Sequence, residues 1–175
     1  EAAQADPLYE TINHKNEYNR IHEYVSLSKK LAQNVDFSGH SSQIRRDSEH
    51  VFLVGFPRSG TTLLDSVLRS HPDIEVIEEK DASLVVEKLA IKNFQTQISN
   101  INLLKEDDLN SMRRAYLARL KFHSKGDKKI LVDKLPLNII VIPLINLLFP
   151  DAKIILALRH PCDTILSCFQ QTFKP

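Results

Sequence analysis

Between two runs of different character, one apolar and β-prone and the other helix-prone, the chain reads Gly55-Phe56-Pro57-Arg58-Ser59-Gly60-Thr61-Thr62. A strand that ends in a glycine-bracketed loop and passes into a helix opened by hydroxyl residues can cradle a phosphate. The first N–H groups of a helix have no acceptor within it, and the helix dipole favours negative charge there. The string satisfies the nucleotide-triphosphatase pattern G-x-x-x-x-G-K-[ST] at every fixed place but one: Thr61 replaces the lysine that reaches the β- and γ-phosphates. Without that lysine a triphosphate is poorly served, whereas Arg58 inside the loop can neutralise a single terminal anionic group. An ATPase or small-molecule kinase would instead set Asp133, which follows the apolar run Ile130-Leu131-Val132, on a Mg²⁺ ion, and Thr61 argues against it.

The run Pro57-Arg58-Ser59-Gly60-Thr61-Thr62-Leu63-Leu64, followed by Ser70-His71-Pro72, resembles the 5′-phosphosulfate loop of sulfotransferases. Within them it is most similar to the tetratricopeptide-repeat-linked bacterial group and the tyrosylprotein sulfotransferases. The resemblance covers residues 50–173. It implies a P-loop-NTPase-like three-layer α/β fold around a central parallel sheet, with 3′-phosphoadenosine 5′-phosphosulfate (PAPS) as donor and no metal. Pro57, Arg58, Ser59, Gly60, Thr61 and Thr62 would then bind the donor's 5′ end. The family's 3′-phosphate motif is matched by Arg159, at the end of the run Ile154-Ile155-Leu156-Ala157-Leu158, and by Ser167 in the helix beyond it. His160 stands where many relatives have Asp.

Sulfuryl transfer needs in-line positioning and charge stabilisation more than covalent help, so protein cations can serve the leaving phosphate. Arg58 and Lys134 are the catalytic cations that the resemblance implies, a lysine in the place of Lys134 contacting the donor in tyrosylprotein sulfotransferases. The acceptor must lose a proton as it attacks. Counted from His71-Pro72, Glu79 falls where those relatives carry their glutamate, with Glu78 its competitor. The acceptor itself is a peptide tyrosine, a sugar, or a small phenol or alcohol.

Elements must hold these groups. Residues 8–35 repeat apolar side chains near helical spacing with a break at Lys15-Asn16, the pattern of two amphipathic helices at the end of a helical-repeat array. A helical segment over 1–36 and a polar linker over 37–49 therefore precede an α/β domain over 50–175, with helical-repeat protein contacts as one expectation. In that domain strands at 51–54, 74–77, 130–132 and 153–158 alternate with helices at 61–70, 82–98, 107–123, 138–149 and 161–173, as in a parallel sheet. Asp107 or Asp108 is the expected cap of the third helix. Sulfotransferase domains continue past the 3′-phosphate helix with another strand and a closing loop, so the C-terminal part of this domain reads as missing. Either the chain is a fragment or it is a remnant without turnover, and the intact spacing of Arg58, Glu79, Lys134, Arg159 and Ser167 favours the fragment.

Composition narrows the remaining classes. With 23 basic and 22 acidic side chains, a formal charge of +1 provides no broad positive field for nucleic acid. The apolar stretch from Leu135 to Phe149 is shorter than the roughly 20 residues that span a bilayer. The two cysteines, Cys162 and Cys168, fall on different faces of one helical segment and read as core thiols. The start at Glu1-Ala2-Ala3, without an initiating Met, reads as trimmed, so targeting information is not to be sought there. Cytoplasmic residence is an expectation consistent with the two unpaired thiols.

Overall fold

A computed structural model of the chain describes residues 14–33, 49–126 and 128–171. Its short apolar runs form a sheet of four strands: β1 (Glu49–Gly55), β2 (Ile74–Glu78), β3 (Ile130–Lys134) and β4 (Lys153–Ala157), in the order β2-β3-β1-β4. All three pairings are parallel, so every connection is a crossover. Helix α1 (His14–Gln33) precedes β1, and α2 (Thr61–Arg69) joins β1 to β2. Between β2 and β3 come α3 (Ser83–Phe94), a 3-10 helix (Ile98–Leu103) and α4 (Glu106–His123). A 3-10 turn (Pro136–Ile139) and α5 (Ile142–Leu148) lead to β4, and α6 (Pro161–Phe169) follows it. The chain leaves the adjacent strands β1 and β3 in opposite directions. In such sheets the crevice beyond the carboxyl ends of those strands is where ligands bind.

β1 is buried on both faces, as a central parallel strand must be. Val51 and Leu53 pack with Val76, Val132 and the α2 residues Leu64 and Leu68. Phe52, Val54 and Ile77 face the larger core, to which α1, α3, α4 and α5 all contribute. The molecule is thus the three-layer α/β structure that the sequence implies. Among the described residues, no helix is long and apolar enough to cross a membrane.

The structure departs locally from the sequence expectations. The break expected at Lys15-Asn16 lies inside the first turn of α1, and the other expected N-terminal helix and the linker up to Ser48 fall outside the described residues. The helix expected to run to Ile98 stops at Phe94, because Gln95 turns left-handed at φ 48° and Thr96 N–H returns to the Ala90 carbonyl at 3.1 Å. That is a Schellman-type ending. Neither Asp107 nor Asp108 caps α4: Lys105 holds the cap position without a side-chain bond, and the acids occupy the first turn, where they complement the dipole. Cys162 is exposed and Cys168 half-buried, so neither is a core thiol.

α1 is built into the α/β body. Its Tyr24 and Leu27 lie in the larger core, and Arg20 reaches α3 to bond both oxygens of Glu87 at 2.8 and 3.0 Å. Leu27→Ala should therefore cost about 2–5 kcal/mol of the stability of the whole body, measured as one cooperative urea transition. An α1 that melted separately and left the sheet's transition unmoved would contradict this.

Candidate active site

The loop after β1 is a strained turn followed by a helix start. Ser59 N–H bonds to the Phe56 carbonyl at 3.1 Å, which closes a β-turn with Pro57 at its second position and Arg58 at its third. Arg58 has φ 70°, the left-handed value that a type II turn demands and that glycine usually supplies. Gly60, at φ 98°, then caps α2. The first bond within α2 runs from Leu64 N–H to the Gly60 carbonyl at 3.0 Å, leaving the amides of Thr61, Thr62 and Leu63 free of the helix ladder. Gly55 is obligatory for a different reason: a Cβ there would lie 2.7 Å from Ser59 Oγ and 2.8 Å from the Ala157 carbonyl oxygen. The Ser59 hydroxyl is itself buried without a hydrogen-bond partner, a polar group left unmet inside the loop. Thr61 is buried and Thr62 exposed at the same helix start.

β1 pairs Gly55 with Ala157 of β4, which brings the segment after β4 beside this loop. Arg58 Nε donates to Ser167 Oγ at 3.2 Å, and Arg159 donates to the Arg58 carbonyl at 3.2 Å. Residues read from two separate motifs therefore meet at one place. His160, whose role the sequence leaves open, is the N-cap of α6: its Nδ1 accepts from Cys162 N–H at 3.3 Å. It thus does what an Asp would do there.

Lys134 ends β3 on the α2 side of the sheet. Its ammonium donates to Glu78 at 2.9 Å and to Glu79 at 3.0 Å. The lysine side chain is 1% exposed, while those of the two carboxylates are 47% and 58% exposed. Burial disfavours the ammonium, but the hydrogen bonds to Glu78 and then Glu79 outweigh it and raise the Lys134 pKa. Glu79 N–H bonds to the Lys134 carbonyl at 2.8 Å, and Glu79 sits at φ 51°. Arg58, Glu79 and Gln95 are the non-glycine residues at positive φ among those described, and two of them belong to this site. Backbone strain of that kind tends to gather at functional sites.

The site also contains groups that the sequence reading missed. Arg69 of α2 holds the buried Asp65 through two contacts, at 2.5 and 3.3 Å, and lies 3.8 Å from Glu78 Oε2. The i,i+4 spacing of Asp65 and Arg69 in a helical run was the available signal. Asp133 proves to be unlike a Mg²⁺ ligand. Consecutive strand residues face opposite ways, so it points away from Lys134 into the larger core, where it is 2% exposed and accepts the Tyr116 hydroxyl at 2.6 Å. Burial raises its pKa to about 7, helped by the Asp81 charge and opposed by the Tyr116 hydrogen bond. The kinase reading loses its metal-holding acid. Among the described residues, no group of three or more His, Cys, Asp or Glu side chains could hold a metal ion.

The profile of the Sulfotransferase family matches residues 50–175, and the chain belongs to that family. It is 33% identical to nodulation protein NoeE of Sinorhizobium fredii, over 63% of this chain and 28% of that protein. It is 29% identical to human protein-tyrosine sulfotransferase 1, over 74% of this chain and 35% of that one. An uncharacterized Aquifex aeolicus protein is 28% identical over 95% of this chain and 26% of its own length. The chain thus spans about a quarter to a third of the length of these relatives.

The buried acid gives a pH signature with a definite sign. The folded-state pKa of Asp133 lies above its unfolded value, so its contribution is fully present below about pH 4 and is lost as pH rises toward about 7. Urea unfolding of Asp133→Asn should lack this decline, so its stability relative to the parent should improve between those limits. A constant difference across that range would mean that the carboxyl is ionised throughout.

Proposed function

We propose that the crevice at the carboxyl ends of β1, β3 and β4 binds PAPS and that its sulfonate passes to an acceptor hydroxyl. The observation that carries this reading is the meeting of Arg58 with Ser167 and of Arg159 with the Arg58 backbone, 3.2 Å in each case. One ligand with an anionic group at each end accounts for both clusters. In this reading Pro57 fixes the turn, and Ser59, Gly60, Thr61 and Thr62 offer amides and hydroxyls to the 5′-phosphosulfate. Arg58 neutralises the transferring end, and Arg159 with Ser167 takes the 3′-phosphate. Family membership supports sulfonate transfer, and the family's usual donor supports PAPS.

Glu79 is the proposed general base. As the acceptor O–H gives its proton to this carboxylate, the oxygen forms a bond to sulfur and the bond from sulfur to the 5′-phosphate oxygen breaks, releasing 3′-phosphoadenosine 5′-phosphate. Lys134, charged and within reach of the same carboxylates, stabilises negative charge on the leaving phosphate. The name of the human relative, a protein-tyrosine sulfotransferase, favours a peptide tyrosine among the acceptors, beside a sugar and a small phenol or alcohol.

Calorimetry tests the donor assignment. Binding of 3′-phosphoadenosine 5′-phosphate without Mg²⁺, and more tightly than ATP, is expected; a preference for Mg-ATP would return the case to the kinases. Arg159→Ala should weaken that nucleotide by about 10- to 100-fold while barely changing adenosine 5′-phosphosulfate. Equal losses would remove Arg159 from the 3′-phosphate. Glu79→Gln should spare nucleotide binding and lower turnover by about 100-fold or more. Unchanged turnover would move the base elsewhere.

A further inference from the structure

Lys134 has two carboxylates within hydrogen-bond reach, but the surroundings of the two differ. Glu78 is held from both sides. One of its oxygens accepts from Lys134, and the other faces the guanidinium of Arg69 at 3.8 Å. Arg69 in turn is tied by two contacts to Asp65, whose side chain is buried on the same helix, so the guanidinium stays with α2 instead of following whatever anion approaches. Asp65, Arg69, Glu78, Lys134 and Glu79 therefore form one line of alternating charge. Glu79 stands at its open end: among the described residues it is bonded to no other cation, and it is the more exposed of the two carboxylates.

We infer that Glu78 is a positioning residue: braced by Arg69, it serves as the standing counter-charge of Lys134 and so keeps Glu79 available to accept a proton. The inference rests on the reading of Glu79 as base. An ammonium buried to this degree requires a carboxylate beside it. If Glu79 alone filled that need, its lone pairs would be engaged and its affinity for a proton reduced, and a weaker base takes the acceptor's proton less well. A second carboxylate relieves Glu79 in two ways: it shares the ammonium, and its like charge favours the protonated form of its neighbour. The charged groups around the pair are Lys134 from β3, Arg69 from α2 and Lys80 from the turn after β2. They act on Glu78 unequally. Its carboxyl is held below the usual glutamate range, by the Lys134 hydrogen bond first, against the opposing effect of burial, and with help from the Lys134, Arg69 and Lys80 charges. That suits a permanent anion and not a group that must pick up a proton.

The test is a pH titration by NMR of the full chain, carrying glutamate labelled with carbon-13 at the side-chain carboxyl and assigned through Glu78→Gln and Glu79→Gln. In Glu78→Gln the Glu79 midpoint should fall by about half a pH unit or more. A purely structural role for Glu78 would leave that midpoint where it was, and an unmoved midpoint overturns the inference. Arg69→Lys, which keeps a cation on Asp65, should raise the Glu78 midpoint; no change there overturns the brace. Titrating the same samples with 3′-phosphoadenosine 5′-phosphate separates the two levels. Nucleotide binding without the Glu79 shift defeats this inference alone, and a shift in a protein that binds no such nucleotide defeats the reading of the site.

Discussion

A slip of one residue in the pairing of β2 and β3 would dismantle the site. In the observed register Glu78 lies opposite Lys134, and on the other side of β3 the same lysine lies opposite Leu53 of β1. Shifting β3 by one position would turn Lys134 into the larger core and bring Asp133 to the α2 side, because strand side chains alternate. The ladder is extended by Ile130 N–H to the Asp73 carbonyl at one end and by Glu79 N–H to the Lys134 carbonyl at the other. That last bond fixes Glu79 beyond the strand proper and ties its left-handed backbone to the lysine it faces. The corresponding constraint on the far side of β1 is the pairing of Gly55 with Ala157, which leaves no space for a Cβ and brings Arg159 within reach of the loop.

The two ionisable residues that end β3 are adjacent in sequence and opposite in circumstance. Lys134 emerges under carboxylates that are themselves wet, so its charge is compensated at the surface and favoured. Asp133 emerges among Tyr116 and the apolar side chains of the larger core, with a neutral hydroxyl as partner, and its carboxyl is driven toward the protonated form. Neighbouring environments that separate the proton affinities of two groups are how one strand end can carry a lysine held charged and an acid held toward its neutral form. A sequence shows Asp133-Lys134 as a pair of charges, and only the faces of the strand reveal that they belong to different layers.

The fold was legible to the extent that local pattern decides it. The β1 loop announced itself through Gly55, Gly60 and the hydroxyls at Thr61 and Thr62, and the alternation of apolar runs with helical segments implied the parallel sheet that is observed. Boundaries failed where a long-range contact or a backbone reversal competed with propensity, as at Gln95, where a left-handed residue ends α3 before its apolar pattern does. Within the site, Arg58, Arg159 and Ser167 were legible as motif members serving one donor, but the direct contacts between them depend on the β1–β4 register and were not. Arg69 was not read as a site residue because its importance lies in Glu78, at the end of the next strand, which only the packing of α2 on β2 brings beside it.

α1 shows how far the demands of the site extend. Asp81, just after the turn that carries Glu79, accepts Leu84 N–H at 3.0 Å and the Ser83 hydroxyl at 2.7 Å, and so tightens the start of α3. Arg20 of α1 lies 3.6 Å from that same carboxylate, donates to Ser83 Oγ at 3.0 Å and grips Glu87, which also accepts the Tyr24 hydroxyl at 2.6 Å. Lower on α1, Glu23 accepts Ser99 N–H at 3.0 Å and Lys30 donates to the Ser99 carbonyl at 2.8 Å, so the helix is bonded to the segments on either side of α3. Glu87 is buried, and a buried carboxylate deprived of its guanidinium is costly, so the contact between Arg20 and Glu87 is not one the molecule can open freely. The turn from Glu79 to Ala82 is therefore clamped between β3, through Lys134, and α1, through Arg20. A helix that the sequence sets apart from the α/β domain is, in the folded protein, one of the walls against which the proposed base is held.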